Sequence, residues 1–282
     1  QLVNRIRVEQ VELAVTAPLV VAAGVQHVPV DLHTREGVLV AHLDFLGQDQ
    51  NAIDGYNRVL ALQPLHVPSL HFKGAALVRL NNNEEAIKVF DRALEIDPSY
   101  IEALFDKGRA LASLKMYREA VKTFDKALSI EKNYADIYFH KGRALASLGR
   151  HEDAIIAFNK NIDLDADNGL AYYHKGLSLS EIGRHADATE AFDRVIQISP
   201  KFIEAWLHRG IVLARIGKYN EAIESYIRTL EIDPMNAEAW YLKGSSLYAL
   251  NSYEDAIEAF NRALELRPDY VAAHYDKGRA LC

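Results

Sequence analysis

The stretch Lys107-Gly-Arg-Ala-Leu-Ala-Ser-Leu114 recurs letter for letter as Lys141 to Leu148. Its first five letters return once more as Lys277-Gly-Arg-Ala-Leu281, four further steps of the same size along the chain. Working outward in that register, Gly74, Gly108, Gly142, Gly176, Gly210, Gly244 and Gly278 all stand 34 apart. Twelve positions after all but the last is an alanine (Ala86, Ala120, Ala154, Ala188, Ala222, Ala256), and four further is an aromatic: Phe90, Phe124, Phe158, Phe192, Tyr226 and Phe260. Pro98, Pro200, Pro234 and Pro268 close four of the units. A unit of this length cannot bury a core alone and must stack on copies of itself. The register divides the chain into full units 67–100, 101–134, 135–168, 169–202, 203–236 and 237–270. A degenerate unit, 33–66, precedes them with Ala52, Tyr56 and Pro64 in place, and a truncated one, 271–282, follows.

One unit shows what the repeat builds. Trp240, Gly244, Leu247 and Leu250 are spaced by three and four, which places them on one face of a helix. Asn251-Ser252 breaks the pattern, and Gly149, Gly183 and Gly217 occupy the place of Asn251 in other units. Glycine and asparagine accept the left-handed backbone that ends a helix. A second periodic run, Tyr253, Ala256, Ile257, Phe260, Ala263 and Leu264, stops before Pro268. Each unit therefore reads as two short antiparallel helices. Gly244 and Ala256 let them approach, with Phe260 and Trp240 filling the space on either side. A helical glycine costs about 1 kcal/mol against alanine, so seven in register require a packing reason.

Composition adds limits. The chain has 282 residues, 49% hydrophobic and 25% charged, with a net charge of -7, which argues against nucleic acid as a partner. Its one cysteine, Cys282, excludes an internal disulfide and a multi-cysteine metal site, and fits a reducing, cytoplasmic compartment. Val11 to Val30 is apolar but broken by Glu12, Pro18, Gln26 and His27, so neither a membrane span nor a secretion signal is expected. The chain starts at Gln1 and stops within a repeat, so both ends read as cut from something longer. Residues 1–32 do not follow the repeat. Alternation through Arg5 to Val8 and Val11, Leu13 and Val15 hints at a strand, leaving a preceding domain, a cap, or a segment lying in the protein's own groove as alternatives.

The spacing of Trp240, Gly244, Ala256, Phe260, Ala263 and Pro268 resembles the tetratricopeptide repeat, and the likeness runs from about residue 33 to 282. Departures are local. Asn161 stands where the family prefers alanine, which suggests a looser hairpin. Lys132 and Ala166 replace the closing proline, and Glu36 and Val40 replace the aromatic and glycine of the first unit. The resemblance implies an all-α, right-handed superhelical solenoid whose first helices line a concave groove. It further implies an adaptor that binds a peptide or partner domain there, with no cofactor.

The same resemblance assigns the second, fifth, sixth, ninth, twelfth and thirteenth residues of each unit to the groove. The fifth gives Phe105, Phe139, Tyr173 and Tyr241, and the sixth gives His140, His174 and His208. The ninth gives Arg109 and Arg143, and the second gives Glu102, Asp136 and Glu204. Aromatic rings with interleaved charge suit an extended peptide; packing against the neighbouring hairpin is the alternative. The two arginines read as solvated or paired with Glu102 and Asp136. A metal between His140 and His174 is disfavoured, because stacked hairpins hold such residues about 8–10 Å apart. A pH-sensitive strip is the other reading of these histidines, against ordinary variable groove positions. No unit carries the lysine and asparagine pair that holds acidic chaperone tails, so that partner is disfavoured.

No phosphate loop, His-Glu-x-x-His motif or nucleophile elbow is present, so catalysis is not expected from the repeats. Asp163 and Asp165 read as solvated. The remaining enzyme hypothesis is a targeting module whose catalytic domain lies outside this chain. A self-associating array, stacked through the unfinished last unit, is the other alternative.

Overall fold

Six near-identical close approaches of an aromatic ring to a glycine organise the chain. In the computed structural model, which describes residues 49–282, a Cβ built on Gly142 would lie 2.6 Å from Phe158 Cε1, and one on Gly176 would lie 2.8 Å from Phe192 Cε1. The same clash recurs at Gly74, Gly108, Gly210 and Gly244 against the ring sixteen positions on. Only a residue without a side chain lets the ring come this close to the helix. The alanines beside the rings, such as Ala154 and Ala188, are fully buried for the same reason of space.

Around these contacts the described residues form fourteen helices and no strand. Helix α1 spans Asp49–Leu62. Six hairpins follow: α2 (Val67–Arg79) with α3 (Asn83–Ile96), α4 (Ile101–Ser113) with α5 (Tyr117–Ile130), and α6 (Ala135–Ser147) with α7 (His151–Leu164). Then come α8 (Gly169–Glu181) with α9 (His185–Ile198), α10 (Ile203–Arg215) with α11 (Tyr219–Ile232), and α12 (Ala237–Ala249) with α13 (Tyr253–Leu266). Helix α14 covers Val271–Ala280. Each helix packs on its neighbours in sequence, and the first helices of successive hairpins also touch one another. No pair of second helices does so comparably among the described residues. The stack therefore curves with α2, α4, α6, α8, α10, α12 and α14 on the inside. This is an all-α repeat superhelix. The strand or cap expected in residues 1–32, and Glu36 and Val40, lie outside the described residues.

The turns follow simple backbone chemistry. Gly149, Gly183 and Gly217 have φ of 73°, 76° and 79°, and Asn81, Lys115 and Asn251 take the same left-handed conformation. Between hairpins, an acidic residue accepts a backbone hydrogen bond from two residues ahead: Ser99 N to Asp97 Oδ1 at 2.9 Å and Met235 N to Asp233 Oδ1 at 3.1 Å. Where proline is missing the same turn persists, with Asn133 N donating to Glu131 Oε1 at 2.9 Å and Asp167 N to Asp165 Oδ1 at 3.3 Å. Asp165 is thus a turn-former rather than a merely solvated group. The hairpin around Asn161 closes on a half-satisfied amide, whose buried Oδ1 has no hydrogen-bond partner among the described residues. Asn161 is fully buried and its amide donates to the Ala135 carbonyl at 2.9 Å, tying α7 back to the start of α6.

The contrast between two glycines tests this account. Gly142→Ala is expected to lower stability by about 1–3 kcal/mol through overpacking. A methyl placed on Gly278 would meet nothing within 4 Å, so Gly278→Ala should leave stability unchanged or raise it by up to about 1 kcal/mol through helix propensity. Chemical denaturation followed by circular dichroism reads both. Similar losses at the two sites would remove the ring-on-glycine contact as the cause.

Candidate functional site

The inner face is built by a pairing between units. The fifth residue of one unit meets the sixth of the next. His71 Nε2 donates to Asp106 Oδ2 at 2.9 Å, and the Tyr241 hydroxyl donates to Asp276 Oδ2 at 3.0 Å. Between these ends the joints are rings. Phe105 lies 5.4 Å from His140, Phe139 5.6 Å from His174 and Tyr173 5.7 Å from His208, centroid to centroid. Leu207 and Leu242 close the remaining joint within one apolar cluster.

Each histidine also lies on the ring of a second helix. His174 stacks on Phe158 at 5.9 Å and 18°, His208 on Phe192 at 6.0 Å and 22°, and His140 on Phe124 at 6.4 Å and 28°. These histidines are packed joints between hairpins, half-buried rather than free in the groove. Successive imidazoles are kept apart by a benzyl or phenol ring, since Phe139 lies 5.3 Å from His140 and 5.6 Å from His174. Among the described residues no group of three or more His, Cys, Asp or Glu is placed to hold a metal. The aromatic row is likewise half-buried between hairpins, with Tyr241 5.9 Å from Phe260 and 4.9 Å from Tyr270.

Charge frames this floor. Arg109 lies over Phe105 at 5.5 Å and bonds Asp106 Oδ1 at 3.1 Å, rather than Glu102 as the spacing suggests. Arg143 lies over Phe139 at 5.8 Å and has no carboxylate partner among the described residues. Glu102, Asp136 and Glu204 are exposed in the first turns of α4, α6 and α10 and make no ion pair among the described residues. Their field reaches nearby phenols. Burial, then Glu102, pushes Tyr100 up to about 12, and burial followed by Asp136 and by Glu204 raises Tyr134 and Tyr173.

Two recurrent contacts escape sequence reasoning. The lysine opening the repeated octapeptide pairs with an aspartate sixteen positions back: Lys107 with Asp91, and Lys141 Nζ with Asp125 Oδ1 at 2.6 Å. Arg209 Nε and Asp193 Oδ1 repeat the pair at 2.6 Å. Trp206 and Trp240 donate their indole N–H to the carbonyls of Pro200 and Pro234, at 2.9 and 3.1 Å. The signal is present in the sequence as aspartates and prolines at constant offsets, which matter only once adjacent hairpins are set in contact.

The packed histidines carry a pH consequence. Burial, then Arg109 and Arg143, with Asp106 opposing, pushes His140 down to about 4. Burial, then Arg143, does the same to His174, and burial lowers His208. Their folded values lie below the unfolded value of about 6.5, so both forms are neutral above that pH and the full stability is present there. As pH falls from about 6.5 to about 4, the unfolded chain takes up protons that the folded chain refuses, and stability is lost. The denaturation midpoint is expected to drop across this window, and to drop less in a His140→Gln, His174→Gln variant. Parallel curves for the two proteins would show that other groups carry the effect.

Comparison with known proteins agrees with this geometry. A tetratricopeptide repeat family model matches residues 102–169, 207–271 and 241–281, another matches 170–202, and a TPR repeat model matches 74–115. No curated protein sequence matches the chain. Among solved structures, YrrB, described as a TPR protein with an unusual peptide-binding site, is 24% identical. It aligns over 68% of this chain and 99% of its own at a TM-score of 0.62. MamA is 26% identical over 58% of this chain and 96% of its own, with a TM-score of 0.56. The C-terminal part of a TPR repeat-containing protein from Cytophaga hutchinsonii is 16% identical over 84% of this chain and 98% of its own, with a TM-score of 0.72. With the ring-on-glycine hairpins, the constant register and matching family models over more than half its length, the chain belongs to the tetratricopeptide repeat family.

Proposed function

We propose that this protein is an interaction scaffold that holds a peptide or partner segment along the inner face of its first helices. The observation that carries this reading is the combination on that face of half-buried rings with exposed, unneutralised charge. Phe105, Phe139 and Tyr173 form an apolar floor already ordered by the inter-unit joints, so a ligand would not have to fix their rotamers. Arg143, Glu102, Asp136 and Glu204 stand at its margins with no ion-pair partner among the described residues. The peptide-binding site attributed to YrrB supports the same use of the fold. No helix among the described residues is long and apolar enough to cross a membrane. The exposed thiol of Cys282 fits work in the reducing cytoplasm.

Selection of random peptides displayed on phage against the intact chain tests the reading. Enriched peptides should lose affinity by about tenfold or more for an Arg109→Glu, Arg143→Glu variant, while its thermal midpoint stays within a few degrees. Peptides that bind both proteins equally would place the site elsewhere.

A further inference from the structure

The outer seams between hairpins are filled to different degrees, and the filling follows the fourth residue of each unit. In the last three units that residue is large and donates a hydrogen bond to the carbonyl of the preceding turn. Trp206 Nε1 reaches Pro200 O at 2.9 Å, Trp240 Nε1 reaches Pro234 O at 3.1 Å, and His274 Nε2 reaches Pro268 O at 2.9 Å. Cations from the seventh or twenty-sixth position cover the rings. Arg209 lies 6.0 Å from Trp206, Arg194 lies 5.7 Å from Tyr172, and Trp240 has Lys243 at 5.0 Å and Arg262 at 5.9 Å. In the first full unit the fourth residue is Leu70, and Arg92 reaches the corresponding carbonyl instead, its Nη2 donating to Pro64 O at 2.9 Å.

Unit 101–134 has neither device. Its fourth residue, Leu104, carries no side-chain N–H, and the Pro98 carbonyl accepts no hydrogen bond among the described residues. A cleft of about 470 Å³ opens between α3 and α5, with Leu94 and Leu104 in its lining. At the next seam, where Tyr138 takes the fourth position, the cleft between α5 and α7 measures only about 160 Å³. Lys107, Lys122 and Lys126 also line the larger cleft, and the ammonium groups of the last two make no ion pair among the described residues. Lys107 is bound to Asp91. That pairing does not prevent contact with a ring, since Arg209 holds Asp193 at 2.6 Å while lying over Trp206.

We propose that this outer cleft binds the indole side chain of a tryptophan in a partner protein, presented beside an acidic residue. The chain's own later units supply the template. By register, Lys107 and Lys126 stand where Lys243 and Arg262 cover Trp240, and the Pro98 carbonyl stands where Pro234 accepts the indole N–H. Indole suits these groups better than a phenyl or phenol ring, because it attracts cations most strongly and its N–H only donates. The two unpaired lysines on α5 favour a carboxylate next to the ring on that side, whereas Glu95 on the opposite wall would repel one. The site is on the outer side of the stack, so it stands beside the inner-face reading and does not rest on it.

The test uses the intact chain, labelled with nitrogen-15, and a five-residue peptide with tryptophan between two aspartates. Amide spectra are expected to show binding with a dissociation constant of about 1 mM or tighter, with shifts gathered at Leu94, Lys107, Thr123 and Lys126. Peptides with leucine or phenylalanine for the tryptophan, or lysines for the aspartates, should bind at least about threefold more weakly. Leu104→Trp places the chain's own indole in the cleft; it should keep or raise the thermal midpoint and weaken the peptide by about tenfold or more. Lys126→Ala decides the matter whether or not that variant folds, since Lys126 is exposed. It should weaken the tryptophan peptide severalfold and leave the leucine peptide unchanged, while Arg143→Glu on the inner face alters neither. Equal binding of the tryptophan and leucine peptides, shifts confined to other surfaces, an unaffected Lys126→Ala, or no binding at about 10 mM peptide would overturn the proposal. A phenylalanine peptide that matches the tryptophan one would overturn the assignment of indole.

Discussion

The seating of one aromatic ring on one glycine, repeated six times, is the constraint from which the other features follow. Phe158 can lie against the α6 backbone only because Gly142 has no side chain, and that approach fixes how far apart α6 and α7 sit. Once the distance is set, Ala154 must be small, the next first helix must fall into the groove beside the ring, and successive first helices are drawn together on the inside of the stack. The helical glycine costs about 1 kcal/mol of propensity at each position. That cost is offset by burial of a whole aromatic side chain, worth roughly 3–5 kcal/mol when truncated. Curvature and inner face are therefore set by local packing, with no long-range device required.

Second in importance is the joint between units. A hairpin closes on its own ring and glycine, but it buries its core only against its neighbours, so each must take a set orientation on the next. The fifth-to-sixth pairing does this on the inner side, and the lysine–aspartate and indole–carbonyl contacts brace it elsewhere. Rings and imidazoles that would be free in an isolated unit become ordered by assembly. The same groups then serve as a floor that can receive a partner without further loss of freedom.

The fold is legible in the sequence because its determinants recur. The register glycine appears seven times and the aromatic sixteen positions beyond it six times, so one contact is written over and over. What the sequence conceals is how unlike residues meet. Position five and position six read as separate rows of variable groove residues, because Phe105 and His140 belong to different units and neither is repeated throughout. Helical spacing assigns Arg109 to Glu102, whereas Asp106, three positions away, holds it in common with His71. Asn161 looks like a defect at an alanine position; the buried amide finds the Ala135 carbonyl, a partner visible only after the hairpin closes. The missing prolines at Lys132 and Ala166 matter little, because the preceding Glu131 and Asp165 hold the turn by hydrogen bonds that proline does not provide.

The joint from position five to position six also sets how the array can change in length. Excising residues 135–168 would bring Phe105 against His174, and excising 169–202 would bring Phe139 against His208: a benzyl ring still meets an imidazole. Duplicating 135–168 would likewise present Phe139 to another His140. Removing 203–236 instead sets Tyr173 against Leu242, and removing 101–134 leaves His71 facing His140 without its carboxylate. At this joint the centre of the array is therefore expected to accept a change in copy number that its flanks would not. Beside that joint the tolerance is narrower: excising 169–202 would set Arg209 against Asn159 in place of Asp193 and lose the ion pair that braces the seam, whereas excising 135–168 would leave Lys175 beside Asp125.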